Sequence, residues 1–374
     1  VQTRTRDGLA LLLAGALLGG GIAWLLGRRQ ESPPAPSALD AVPADALLVA
    51  SLDLPALRAS KAFASFLREE REIPGLGKVR DVCGFDPMAG LTEVVLAIPA
   101  AGEGGDFGLV AAGAVQSEAL LTCASKVVEA RGGQPVVTQI GSFHAVRDSS
   151  AEGRGEIAVR PGGPILLGGG AYLRAMIDAA DGRAEPVRES AAHREVAREV
   201  GEAAARVTVV LTPEQRAELE RELAPGGGAR SPAASVVAAG AGVALGPEIA
   251  VRGVVLCDAE APCAELGARL RAARDARAED LATRLIGFGA LLQRVEIAAE
   301  GKELHARVSL SAEEASALVA RLASLRALER PAPAPRLPPA LEGRGAPPPA
   351  GDGGAPSPDE VVAPRRAEPD GGAR

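Results

Sequence analysis

Twenty consecutive residues without a charge, Gly8 to Gly27 (GLALLLAGALLGGGIAWLLG), set the first limit on what this chain can fold into. At 1.5 Å rise per residue such a run makes a helix of about 30 Å, the thickness of the hydrocarbon layer. Arg28-Arg29 closes it, and Trp24 lies near that end, where an indole suits the membrane interface. Glycines do not prevent a helix here, because in lipid the backbone must satisfy its own hydrogen bonds. The run reads as an uncleaved single-pass anchor. A cleaved signal peptide is the rival, with Gly21-Ile22-Ala23 as a small-residue site, but the apolar stretch continues past it through Trp24-Leu25-Leu26. No cysteine directly follows the run, so a lipoprotein anchor is excluded. Basic flanks tie, Arg4 and Arg6 against Arg28 and Arg29, so the charge rule gives no orientation. A short leader before the apolar run is the layout of a signal anchor, whose carboxyl side is translocated. The expectation is a bacterial inner-membrane protein whose body, residues 31–374, lies in the periplasm.

That body must pack with aliphatic side chains. The chain has 374 residues and is 47% hydrophobic, yet holds only six Phe, one Tyr and one Trp. Few rings are present to stack on bases or sugars, and the net charge of −7 gives no attraction to phosphate, so nucleic acid is not an expected partner. The length allows two or three domains.

Pro-rich Glu31–Ala44 reads as an extended linker. From Pro331 to Arg374, twelve of 44 residues are Pro and seven are Gly, with no periodic apolar pattern. Such a tail cannot bury enough surface to offset its ordering entropy and is expected to be disordered. Between them a strand-turn-strand-helix unit recurs. Its first copy is Glu93–Pro99, Phe107–Val115 and a helix capped by Ser117, with Leu120, Leu121, Ala124, Val127 and Val128 on one side. The second is Ser235–Val243, Glu248–Cys257 and a helix from about Ala261-Pro262. In the third, Val295–Ala299 and Leu304–Leu310 flank Glu300-Gly301-Lys302, and Ser311 and Glu314 have capping-box spacing. Leu47–Asp53, Pro135–Arg147, Glu156–Gly168 and Arg206–Leu211 read as further strands, with helices starting near Pro55 and Thr212-Pro213. The fold class is α+β, with antiparallel sheets covered on one face by helices. Two domains are expected, 45–185 and 186–330.

Val42-Pro43-Ala44-Asp45-Ala46-Leu47-Leu48, followed by a strand ending Ser51-Leu52-Asp53, resembles the opening of a bacterial family of uncharacterised membrane-anchored proteins. Gly84-Phe85-Asp86-Pro87 before Val94-Val95-Leu96, and Gly168-Gly169-Gly170 ahead of the Leu173 helix, resemble it too. The resemblance covers about residues 42–180. It implies an extracytoplasmic α+β domain behind one N-terminal helix, and lends no catalytic residue.

The chain offers little chemistry of its own. It has no phosphate-loop motif, and Gly168-Gly169-Gly170 reads as a tight turn. None of His144, His193 and His305 has a second His or Cys at metal-ligand spacing, so no cofactor or metal is expected. His305 is expected on the polar face of its strand and His193 on a solvated helix. Asp53, Asp86 and Asp258 read as caps and turn formers. Ser142 and His144 permit a nucleophile–base reading, but no Gly-x-Ser-x-Gly elbow exists. Four cysteines, at 83, 123, 257 and 263, allow three pairings outside the cytoplasm. Cys257–Cys263 is favoured, because five residues between a strand end and the next helix bring the Cα atoms within range, and Cys83–Cys123 is the second candidate. The leading functional expectation is a non-enzymatic envelope scaffold or binding module with a protein partner, touching the bilayer through residues 8–27. The alternatives are a carrier of an apolar ligand such as lipid, which needs a large apolar cavity, and a hydrolase centred on Ser142 and His144.

Overall fold

The computed structural model describes residues 37–63, 72–73, 77–100, 107–150, 155–223, 231–285 and 287–318. The apolar run, Trp24, Arg28, Arg29 and the Pro-rich tail lie outside them. Among the described residues no helix is long and apolar enough to cross a membrane.

In chain order the elements are β1 (Ala46–Asp53), α1 (Leu54–Ala59), the ribbon β2 (Glu72–Ile73) and β3 (Gly77–Lys78), α2 (Val79–Cys83), β4 (Leu91–Pro99), β5 (Gly108–Gly113) and α3 (Ser117–Ala130). Then come β6 (Pro135–Ile140), β7 (Phe143–Asp148), β8 (Glu156–Val159), β9 (Ile165–Gly168), α4 (Gly170–Ala180) and α5 (Ala191–Val200). The rest is β10 (Ala205–Val210), α6 (Pro213–Leu223), β11 (Val236–Leu245), β12 (Glu248–Cys257), α7 (Glu260–Glu279), α8 (Leu281–Leu285), α9 (Gly289–Gln293), β13 (Glu296–Glu300), β14 (Glu303–Ser311) and a closing helix, 312–318. The fold is α+β, and the strand-turn-strand-helix units appear as β4-β5-α3, β11-β12-α7 and β13-β14 with the helix after them.

Twelve strands join in one sheet, in the order β13-β14-β12-β11-β10-β1-β4-β5-β9-β8-β7-β6. Each neighbouring pair is antiparallel, as hairpin-rich sequence requires. β1 lies beside β10, with Leu48 opposite Val209 and Ala50 opposite Val207, so one sheet runs through both stretches expected as domains.

Helices cover both faces of this sheet, not one. Strands such as EVVLAIP are apolar on both sides, and each side needs a partner. On the first face α4 sets Tyr172, Leu173, Met176 and Ile177 against Val95, Val110, Ala145, Ala158 and Leu166. α5 sets Val196 and Val200 against Ala238, Val254 and Leu256. Gly240 permits that approach, since a Cβ there would collide with Val196 Cγ1 and lie 3.0 Å from the Val207 carbonyl oxygen. On the second face α3 stands over β7, β8 and β9, α7 over β12, β13 and β14, and Leu54 and Leu57 of α1 over Leu91 and Ala111.

Several expectations need correction. Pro135–Arg147 and Glu156–Gly168 are hairpins, not single strands: Gly141 (φ +58°) and Gly162 (φ +67°) supply left-handed corners inside them. From Ser37 onward the expected linker is packed, with a 3-10 turn at Ala38–Ala41 and no solvent exposure at Ala38, Ala41 or Val42. The Ser117 hydroxyl does not cap α3; it donates to the Arg160 carbonyl at 3.0 Å. Asp53 caps α1 as expected, accepting from the Ala56 amide at 2.9 Å. Ser311 and Glu314 form their capping box, at 3.1 and 2.8 Å.

Candidate functional site

Ser142 and His144 do not form a catalytic pair. Ser142 sits in the β6–β7 corner, where its hydroxyl donates to Asp181 Oδ1 at 2.6 Å and accepts from Arg160 Nη1 at 3.0 Å. His144 is exposed on the second face of β7, and no hydrogen bond joins the two among the described residues. Asp181 also holds Arg160 and Arg183, each at 2.7 Å, and its side chain is only 7% exposed. Burial alone would raise its pKa, but hydrogen bonds from Ser142 and Arg183 outweigh that and hold it below the ordinary carboxylate range. The cluster fixes the end of α4 against β8. Beside it lies a polar cavity of about 480 Å³ bordered by Arg160, Arg183 and Arg188. Each of those guanidiniums is already matched: Arg183 with Asp178 and Asp181, Arg188 with Asp40, Arg160 with Asp181.

His193 is a correction. It is 5% exposed, not solvated, with Nδ1 at 2.7 Å from Thr208 Oγ1 and Nε2 at 2.8 Å from the Ala46 carbonyl oxygen. A carbonyl only accepts, so Nε2 carries the proton and Nδ1 accepts from the hydroxyl. His305 is half-buried, and its Nε2 lies 3.1 Å from Glu303 Oε2. Glu199, at the end of α5, joins them, the three donor atoms lying within 4.8 Å of one another. This trio has ligand types suited to a divalent cation. Yet Glu199 already pairs with Arg198 at 3.0 Å and Glu303 with His305, and these pairings account for the cluster without an ion. No hydrolytic constellation exists among the described residues.

The structure bonds Cys257 to Cys263 and Cys83 to Cys123, with Cα separations of 5.8 and 4.7 Å. The first ties the end of β12 to α7. The second ties α2 to the middle of α3.

What the molecule does present is apolar. Across the second face one residue from every strand falls into a single transverse row. In sheet order it reads Ile297, Ala306, Gly253, Ala241, Val207, Ala50, Leu96, Leu109, Leu167, Ile157, Val146 and Val137. No member has a polar side chain. Register shifts occur at 46/48, 91/93 and 236/238, away from the row, so the alternation of sides is unbroken along it. α3 roofs one end. There a cavity of about 590 Å³ lies between Leu120, Ala124, Val127 and Val128 of the helix and Val146, Ile157 and Leu167 of the row. At the other end a hollow of about 300 Å³ beside Leu270 of α7 is floored by Val207, Ala241, Gly253, Ala306 and Ile297. Between the two, Leu96 and its neighbour in the next row, Leu52, are 37% and 38% exposed, whereas Val95 and Val49 on the opposite face are 0% and 5%. Hydrophobic periodicity alone could not reveal the row, because it is made by pairing strands far apart in sequence.

No family model matches the chain, and no curated protein does. Among solved structures it is similar to TP0453 in crystal form I, at 11% identity, over 76% of this chain and 96% of that one, with a TM-score of 0.39. The functional reading therefore rests on this chain's own residues.

Proposed function

We propose that this chain is a non-catalytic binding protein of the bacterial envelope, held to the inner membrane by Gly8–Gly27, whose periplasmic body takes the acyl chain of a lipid on its open apolar face. The observation that carries this reading is the transverse row joining the α3 cavity to the hollow beside α7. The cavity volume, about 590 Å³, falls within the range of roughly 300–1,000 Å³ usual for small-molecule sites. A protein partner would need about one hydrogen bond per 100–200 Å² of interface. The row offers no side-chain donor or acceptor, and its ten members on inner strands have their backbone groups flanked by strands on both sides, so hydrocarbon matches it better. Arg131, Arg147, Asp148 and Glu156, two charges of each sign, border the α3 cavity and suit a headgroup held at its mouth. Two disulfides support an oxidising compartment.

The test is photolabelling of the full chain in its own membranes with a diazirine-bearing palmitic acid, followed by peptide mapping. Labels are expected on α3, β4 and β9 peptides carrying Leu120, Leu96 and Leu167. Labelling confined to residues 8–27 would overturn the reading.

A further inference from the structure

Both half-cystines of the Cys83–Cys123 bond line the α3 cavity. α3, the wall that carries Cys123, is lightly packed. Of the fourteen residues of α3 only Leu120 and Cys123 are buried, because Ala124, Val127 and Val128 of its apolar stripe face the cavity and not a packed core. Its N-terminus is held by Ser117, whose hydroxyl donates to the Arg160 carbonyl. Its C-terminal end is held by the four-residue link to β6, where the Gln134 amide donates to Asp148 Oδ1 at 3.0 Å, and the bond to Cys83 ties its middle to α2.

The two disulfides differ in access. Cys257 and Cys263 are 4% and 0% exposed, shut between β12 and α7. Cys123 is 6% exposed, but Cys83 is half-buried at the end of α2, so this bond is the less enclosed of the two. The two bonds thus divide into a sealed staple and a reachable clamp.

We propose that the Cys83–Cys123 bond is a redox clamp on the ligand cavity: oxidised, it holds α2 and α3 together as the cavity wall, and its reduction by a dithiol lets the two part and release the bound chain. This rests on the acyl-chain reading above. In the step, one thiolate of the dithiol attacks the Cys83 sulfur, forming a mixed disulfide and freeing Cys123 as a thiolate that takes up a proton. The second thiol of the reductant then displaces Cys83. The bond has accepted two electrons and two protons, both cysteines end as thiols, and the dithiol ends as its cyclic disulfide.

The experiment repeats the diazirine-palmitate labelling on the full chain in membranes, with and without dithiothreitol, and follows the four cysteines by alkylation. With Cys83 and Cys123 reduced, labelling of β9 and α3 peptides should fall about tenfold, as the binding-competent fraction falls. The doubly substituted Cys83→Ser/Cys123→Ser chain should show that low yield without reductant. Cys257→Ser/Cys263→Ser should keep both the labelling and its sensitivity to dithiothreitol. Should the first variant fail to accumulate, reoxidation of the reduced wild-type chain serves instead, and recovery of labelling is expected. Undiminished labelling with Cys83 and Cys123 alkylated overturns the clamp alone, whereas no labelling of the oxidised chain overturns the acyl-chain reading. Collapse of the circular-dichroism signal on reduction would also overturn the clamp, since the bond would then hold the whole fold.

Discussion

His193 Nδ1 lies 2.7 Å from Thr208 Oγ1, and this hydrogen bond pins α5 to the strand at the middle of the sheet. Burial pushes the imidazole pKa below its ordinary 6.5, against a smaller opposing influence from the Ala46 carbonyl. Arg188, Arg194 and Arg206, which border the same hollow, add no incentive to charge the ring. Below about pH 6.5 the unfolded chain takes up a proton that the folded ring resists. The neutral ring's contribution is therefore full above that value and is lost as pH falls toward the folded pKa. Urea unfolding at pH 7.5 and 5.0 should show lower stability at the acid end. His193→Gln should narrow that difference and cost about 2 kcal/mol at neutral pH, the scale of a buried hydrogen bond broken on one side.

Neighbouring residues of β4 should separate folding from ligand contact. Val95 is fully buried under α4, and Val95→Ala should cost about 2 kcal/mol in urea unfolding through lost burial and a residual cavity. Leu96 is 37% exposed on the other face, and Leu96→Asp should cost about 1–2 kcal/mol, through the burial it does have and the low strand propensity of Asp. The same Leu96→Asp chain should lose most of its diazirine-palmitate labelling.

The two disulfides should differ in weight. Cys83–Cys123 closes a separation of 40 residues and Cys257–Cys263 one of 6. In the chain-entropy treatment these correspond to about 4 and about 2 kcal/mol. Paired Cys→Ser substitutions, compared by urea midpoint, should rank in that order.

At the α5 crossing, Gly240→Ala should be destabilising by about 1–3 kcal/mol, because the added methyl meets Val196 on one side and the β10 backbone on the other. Val196→Ala in the same chain should recover part of the loss, a coupling that a double-mutant cycle would measure.

His144→Ala should leave both unfolding and palmitate labelling unchanged, since the ring is exposed at the edge of the apolar face. A loss of function in that variant, at normal abundance, would return Ser142 and His144 to consideration as a site.

Local sequence determined much of this molecule. Hairpin and helix units follow from alternation, turn residues and caps within a few positions of each other, as Ser311 with Glu314 and Asp53 with Ala56 illustrate. Cys257 and Cys263 are close enough in the chain that a strand end and a helix start bring them together. The tertiary structure alone decided the rest. His193 reads as a surface residue among Arg194, Glu195 and Arg198, until α5 turns that face toward Thr208. Cys123 finds Cys83 across 40 residues. The apolar row exists only because Ala50 of β1 meets Val207 of β10, and Leu109 of β5 meets Leu167 of β9. Strand register between distant segments is fixed by burial of the opposite face under α4 and α5, a condition no local stretch of sequence contains.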